Sequence, residues 1–431
     1  MHNSFKVYIS LVAVFFSGLL TAQNNFVQQQ QNRLMINHQP YRFIGTNMWY
    51  ANLLAMPDNK GGNRKRLVKE LDFLKRQGVN NIRVLIGAQG QNKVVNGINP
   101  VHPALQIAPA KYNDDILDGM DFLLQQLEKR KMYGVFFFSN NWEWSGGFLQ
   151  YLNWHNKISD ATLAKKYSWD EYRDIVSRFY TCNECMEDYR DFVKHILQRK
   201  NKLTLKKYTG ETAIMAWEIA NEPRPMRTNA IDAYKDFLKK TSAFIKKADP
   251  NHLITLGAEG YMGTENLELF QQIHEDKNVD YATIHIWPKN WGWYKDSTFK
   301  NDFNNIVNKT TTYINEHDAV MQKINKPLVI EEFGLPRDNF SFSTQSLVAY
   351  RNKFFEAVMQ TLLKSKNTAI AGINFWSFSG FGKPAKNDAP FWKEGDDLLG
   401  DPPMEEQGLN SVFAGDTATW ELITRYVQLI K

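Results

Sequence analysis

Cysteine is nearly absent: the 431-residue chain has two, Cys182 and Cys185, in the string Cys-Asn-Glu-Cys. So few exclude a disulfide-built scaffold, and a zinc site would need two further ligands nearby. A thioredoxin-like role would want a small βαβ context, which is missing. A local disulfide and a pair of free thiols both stay open. None of the nine histidines forms His-x-x-x-His, and neither a glycine-rich phosphate loop nor Gly-x-Ser-x-Gly occurs. These absences argue against a helix-borne zinc site, a nucleotide enzyme and a serine esterase, so no metal and no cofactor is expected. The net charge of +6 comes from 52 basic and 46 acidic residues without a dense basic block; Arg64-Lys65-Arg66 is the nearest approach. Nucleic acid is therefore not an expected partner. No repeat, low-complexity linker or second long apolar run follows residue 22, so no membrane span is expected in the mature chain.

The first 22 residues read as a signal peptide. Lys6 supplies the positive start, Val7 to Leu20 the apolar stretch, and Thr21-Ala22 the small residues before Gln23. With no cysteine there for lipid attachment, the mature protein is expected to be secreted or periplasmic. The length allows one large catalytic domain, residues 23–431. Aromatics make up 13% of the chain and include 12 tryptophans. Many stand beside Asn, Gly or Ser, where a core would not put them.

A short N-terminal β-hairpin is predicted over Asn32 to Phe43, turning at Asn37-His38-Gln39-Pro40. Eight apolar strands then alternate with amphipathic helices. The strands are predicted at Phe43–Trp49, Asn81–Ile86, Gly134–Asn140, Ile214–Asn221, Leu253–Gly257, Tyr281–Trp287, Leu328–Glu332 and Ile370–Phe378. Helices are predicted at Arg64–Arg76, Asp115–Lys131, Met186–Arg199, Ile231–Lys247, Leu267–His274, Asn301–Lys323, Gln345–Lys364 and Trp420–Ile430. This alternation predicts an α/β fold of the (β/α)8 TIM-barrel type with long loops at its C-terminal face, where such barrels keep their chemistry.

Two strands end on acids: Trp217-Glu218-Ile219-Ala220-Asn221-Glu222-Pro223-Arg224 and Ile330-Glu331-Glu332-Phe333-Gly334. A buried carboxylate is costly unless paired or protonated, and two at strand tips match the acid/base and nucleophile of glycoside hydrolysis. The acid, Glu222, should have a raised pKa from burial or a neighbouring negative charge, while Glu332 should be ionised and face a cation. Arg83, in Asn-Ile-Arg-Val, is the candidate cation. A structural Arg–Glu pair at the barrel mouth is the plainer alternative.

Asn-Glu-Pro after the fourth strand and Glu-Phe-Gly at the seventh resemble glycoside hydrolase family 5, a retaining (β/α)8-barrel family. The ordered set sharpens the resemblance toward its endo-β-1,4-mannanases. It comprises Gly45-Thr46-Asn47-Met48-Trp49-Tyr50, Asn140-Asn141-Trp142-Glu143, Asn221-Glu222-Pro223-Arg224, Asp249-Pro250-Asn251-His252-Leu253, Glu259-Gly260 and His285-Ile286-Trp287-Pro288. The resemblance implies Glu222 as acid/base and Glu332 as nucleophile. Glu331 is disfavoured because strand alternation sends adjacent side chains opposite ways. It further implies Asn221 on the sugar 2-hydroxyl, Arg83 holding Glu332, His285 near both acids, and Trp376 as an apolar floor. Trp49, Asn141, Trp142 and Arg224 would line outer subsites, and Glu259 would be a cleft carboxylate of unassigned role. Trp291, Trp293 and Trp392 sit on loops that could wall the cleft. Trp287 departs from the family's frequent tyrosine, and an indole N–H can donate but not accept a hydrogen bond. The implied substrate is a β-mannan polysaccharide or manno-oligosaccharide. Other family 5 activities (cellulase, exo-β-mannosidase, mannan transglycosylase) and a non-catalytic carbohydrate-binding barrel are the alternatives.

Overall fold

The computed structural model describes residues 25–363, 368–384 and 391–430. The expected signal peptide lies outside them. Eight parallel strands form the centre: β1 Phe43–Asn47, β2 Asn81–Leu85, β3 Tyr133–Asn140, β4 Ile214–Asn221, β5 Leu253–Thr255, β6 Ala282–Ile286, β7 Leu328–Phe333 and β8 Ile370–Phe375. Pairing runs β5-β4-β3-β2-β1-β8-β7-β6. The seam between β5 and β6 is closed by single hydrogen bonds, Asp280 N–H to the Ile254 carbonyl (2.9 Å) and His285 N–H to the Glu259 carbonyl (3.1 Å). The fold is a (β/α)8 TIM barrel. Every residue of β4 is buried, which is why the strand is apolar on both faces rather than alternating, with only Glu218 and Asn221 polar.

Each strand leads to a helix: α1 Arg64–Arg76, α2 Asp114–Arg130, α3 Asn183–Gln198, α4 Ile231–Ala248, α5 Leu267–His274, α6 Phe299–Lys323, α7 Ala349–Leu363 and α8 Thr417–Leu429. Local chemistry sets their starts. The Asn63 side chain accepts the Arg66 N–H at the head of α1, and Asn113 accepts the Asp115 N–H at the head of α2. In α1, Leu67, Leu71 and Leu74 share the face that packs on the barrel.

At the opposite end the predicted hairpin is a three-stranded antiparallel meander, Gln28–Gln30, Arg33–Ile36 and Gln39–Pro40. Its second turn uses Asn37 and His38, both at positive φ (50° and 64°), the conformation a two-residue hairpin needs. Leu34 and Val27 cap the barrel bottom against Met215, Leu253, Tyr281 and Val329.

Five strand predictions, those for β1, β2, β5, β6 and β8, ran past the observed bounds. β5 stops at Thr255 because Gly257 takes φ 78°, and a Cβ there would meet the Ala220 carbonyl oxygen at 2.0 Å. β8 stops at Phe375, ahead of a cis Trp376–Ser377 peptide; a separate strand, Phe378–Gly380, pairs with Val412–Phe413. The chain between β3 and α3 also holds three short helices that the sequence pattern did not reveal, Gly147–Trp154, Asp160–Ala164 and Trp169–Val176. Cys182 and Cys185 form a disulfide at the head of α3.

Candidate active site

Arg83 on β2 is fully buried and is the hub of the C-terminal face. Its Nη1 donates to Glu332 Oε1 (2.5 Å) and Asn47 Oδ1 (3.1 Å), and its Nη2 to Asn221 Oδ1 (2.8 Å). The expected partner is therefore present, but it is shared. Nε and Nη2 also grip both oxygens of Glu218 on β4, at 2.8 and 2.5 Å. Such a planar fork suits guanidinium and not ammonium. Sequence reasoning had overlooked Glu218 as part of the site. The available signal was a charged residue inside an eight-residue buried strand, which demands a partner.

Glu222 follows β4 at φ 50°, a left-handed conformation that is strained for a non-glycine residue and turns its side chain across the barrel mouth. Trp142 Nε1 donates to Glu222 Oε2 (2.5 Å), and His285 Nδ1 lies 2.7 Å from Oε1. Glu332 Oε2 accepts the Trp287 indole N–H at 3.0 Å. Trp287 thus makes by donation the contact that its identity had put in doubt. His285 Nδ1 also lies 3.5 Å from Glu332, and Nε2 3.5 Å from Glu331. Atoms of Glu222, His285 and Glu332 fall within 4.8 Å of one another, a spacing that a cation could use.

Alternation had predicted that Glu331 points away from the cluster; it does not. Its Oε2 lies 3.4 Å from Arg83 Nε and it is wholly buried. The β6–β7 register shifts between Ile284 and His285 so that His285 stands opposite Glu332, and a bulge of this kind re-aims side chains. Glu332, not Glu331, lines the cavity.

That cavity measures about 730 Å³; Trp142, Trp169, Asn221, Glu222, Arg224, Glu259, Trp287, Trp291, Glu332, Trp376 and Glu405 are among its lining. Arg83 and His285 lie beneath it. Trp376 meets Trp287 edge to face at 5.7 Å. Arg224 Nη2 holds both Glu259 oxygens (2.6 and 2.7 Å), and its guanidinium stands 4.9 Å from the Trp142 ring. Two expected subsite residues are elsewhere. Trp49 is buried with its indole N–H on the Gly400 carbonyl (2.9 Å), edge-on to Trp144, so it anchors a loop. Asn141 is buried behind the wall; its backbone N–H bonds the Asn221 carbonyl at 2.9 Å. Glu405 went unread because it lies far past the last strand, in a loop stapled by Gln407 Nε2 to the carbonyls of Asp401 and Pro402. Its Oε2 is sealed from solvent without a hydrogen bond.

Protonation in the resting site inverts the expected order. Burial pushes Glu222 up, but the His285 hydrogen bond and charge, Arg224 and Trp142 together bring it down to about 2. Burial raises Glu332, assisted by the Glu222 charge and only partly offset by His285 and Arg83. Burial would depress His285, yet Glu332, Glu222 and Glu331 lift it to about 10. The cation sits closer to Glu222 than to Glu332, so the proton expected on the acid rests one hydrogen bond away, on the imidazole.

A closed parallel barrel with two acids converging over a tryptophan-lined cavity has the layout of a glycoside hydrolase. A family model described as GH family 5 beta-mannosidase-like matches residues 24–431, and the chain belongs to that family. It is 25% identical to mannan endo-1,4-beta-mannosidase 1 of Arabidopsis thaliana over 376 residues, spanning 84% of this chain and 83% of the relative. Among solved structures, it resembles the family 5 mannosidase of Rhizomucor miehei with a TM-score of 0.84 and 28% identity, covering 95% of this chain and 98% of the other. The endo-1,4-beta-mannanase of the same organism shares the fold at a TM-score of 0.68 and 22% identity, covering 94% and 99%.

Proposed function

We propose that the protein is a retaining endo-β-1,4-mannanase acting on internal linkages of mannan, glucomannan or galactomannan. The observation that carries the reading is the convergence of Glu222 and Glu332, with atoms within 4.8 Å of one another, in one cavity. Retaining glycosidases hold their carboxyl groups ~5–5.5 Å apart and inverting ones ~6.5–9.5 Å, and single oxygens lying within 4.8 Å of one another support the closer arrangement. Glu332 attacks the anomeric carbon as Glu222 passes a proton to the leaving oxygen, resupplied along the 2.7 Å hydrogen bond from His285. The negative charge of Glu332 and the positive charge of His285 disappear together, so the buried site stays electrically balanced through the step. Water then adds to the anomeric carbon, its proton returns to the Glu222–His285 pair, and Glu332 leaves as the carboxylate. Asn221, held by Arg83, faces the cavity to meet the sugar 2-hydroxyl. The product anomer tests the scheme: proton NMR of early hydrolysis should show β-configured reducing ends, and first-formed α product would refute it. Glu222→Gln and Glu332→Gln should each abolish mannan turnover.

A second reading, exo-acting β-mannosidase, is favoured by the likeness to the Rhizomucor mannosidase and by the stapled loop that brings Glu405 to the cavity. Mannohexaose separates the two. Endo action gives mixed shorter oligosaccharides early, and exo action releases mannose in step with mannopentaose. Export is part of the proposal as well, supported by the N-terminal pattern and by a disulfide suited to an oxidising compartment. Among the described residues no helix is long and apolar enough to cross a membrane.

A further inference from the structure

Of the twelve tryptophans, only Trp169 is exposed, with 52% of its surface open, and it lines the catalytic cavity. Single exposed aromatic residues are ordinary on protein surfaces. This one is unusual in how firmly it is held. It is the first residue of the inserted helix Trp169–Val176, whose start is fixed by a capping box between Ser168 and Glu171. The helix is moored to the loop that carries Glu222. Arg173 Nε donates to the Met226 carbonyl (2.8 Å), Arg227 Nε to Asp174 (2.6 Å), and Arg227 Nη2 to the Asp170 carbonyl (2.8 Å). Tyr172 donates to the Asn141 carbonyl at 2.7 Å.

The ring also has a defined place relative to the chemistry. Trp169 lies 6.0 Å from Trp142, with 30° between the planes, and Trp142 is the residue that donates to Glu222. Tyr172 stacks behind both indoles, and Arg224 stands 6.0 Å from Trp169. Trp169 is therefore one ring beyond Trp142 on the side of the acid, where the leaving group departs. Glu332 takes its indole hydrogen bond from a different lining residue, Trp287.

We infer that Trp169 is the stacking platform for the second sugar of the leaving group, and so determines how strongly the enzyme prefers oligosaccharide over single-ring leaving groups. The ligand is a neutral pyranose whose C–H face covers the open indole. The inference rests on the β-mannoside reading given above.

The test compares wild type, Trp169→Ala and Trp169→Phe on p-nitrophenyl β-mannopyranoside and on mannotetraose labelled with ¹⁸O at its reducing end. Losing an aromatic contact of this size should lower kcat/KM on mannotetraose by about tenfold more than on the aryl mannoside. Trp169→Phe should recover much of the difference. The labelled products should show cleavage moving toward the reducing end in Trp169→Ala, since fewer leaving-group sugars are then held. Equal losses on both substrates, no loss, or a shift in the opposite direction would overturn the platform while leaving the mannoside reading intact. Wild type inactive on both substrates would overturn the mannoside reading itself.

Discussion

Replacing His285 by glutamine removes a buried cation that lies 2.7 Å from Glu222 and 3.5 Å from each of Glu331 and Glu332. Burial opposes its charge, but the three carboxylates lift it to about 10. In the unfolded chain a histidine titrates near ~6.5. Between those values the folded protein holds a proton that the unfolded chain has released. The stabilisation is thus complete below about pH 6.5 and is lost as pH rises through about 10. A window of roughly 3–4 pH units, at ~1.4 kcal/mol each, amounts to about 5 kcal/mol. Glu218 and Glu259, which burial pushes up to about 8 and about 7, give slopes of the same sign. The informative quantity is therefore the difference between wild type and His285→Gln. Urea unfolding across about pH 6 to 10 should show the wild-type advantage greatest at the acid end and shrinking steadily toward the alkaline end. A gap constant with pH would mean that the imidazole acts by shape alone, and the charge argument would fail.

Arg83→Lys leaves one ammonium where a fork served Glu218, Glu332, Asn47 and Asn221; denaturant titration should show a loss of about 3–5 kcal/mol, with kcat collapsing alongside. Trp287→Phe deletes the N–H on Glu332 Oε2, and steady-state kinetics should show kcat lowered by about tenfold or more with KM little changed. The double change Cys182→Ser with Cys185→Ser opens only a three-residue separation, so thermal unfolding should record a cost of at most about 2 kcal/mol, with activity retained.

The barrel was legible because strands buried on both faces must be continuously apolar and their helices must carry a one-sided stripe. Those two periods alternate eight times, and β4 and α5 fall at their predicted bounds. Endings were harder to read where backbone geometry decides them, as at Gly257. The inserted helix that carries Trp169 escaped because it packs on the rim and has too few turns to show a stripe. Among site residues, those at strand tips could be named from position, since topology brings the tips together. Glu331 could not be placed, because it is itself the extra residue of a one-residue register shift between β6 and β7, which lies outside what alternation predicts. Trp49 and Asn141 show the opposite failure, since a strand-tip position does not say whether a side chain enters the cavity or the wall behind it.

The count of charges explains why the site needs both its protons and its tryptophans. Among the described residues, Glu218, Glu222, Glu259, Glu331, Glu332 and Glu405 cluster with three cations, Arg83, Arg224 and His285. Six acids crowded together do not all ionise readily, and desolvation accordingly raises Glu218, Glu259, Glu332 and Glu405. Protons are therefore held in the cluster at neutral pH, and the proposed mechanism asks only that one move from His285 through Glu222. A neutral polysaccharide gains no attraction from such a field. Its binding must come from hydroxyl hydrogen bonds and from apolar ring faces, which Trp142, Trp169, Trp287, Trp291 and Trp376 supply around a floor of charge. On the proposed reading, substitutions of the acids and of the two indoles that donate to them, Trp142 and Trp287, should act mainly on kcat, whereas substitution of Trp169, which bonds neither acid, should act on substrate choice.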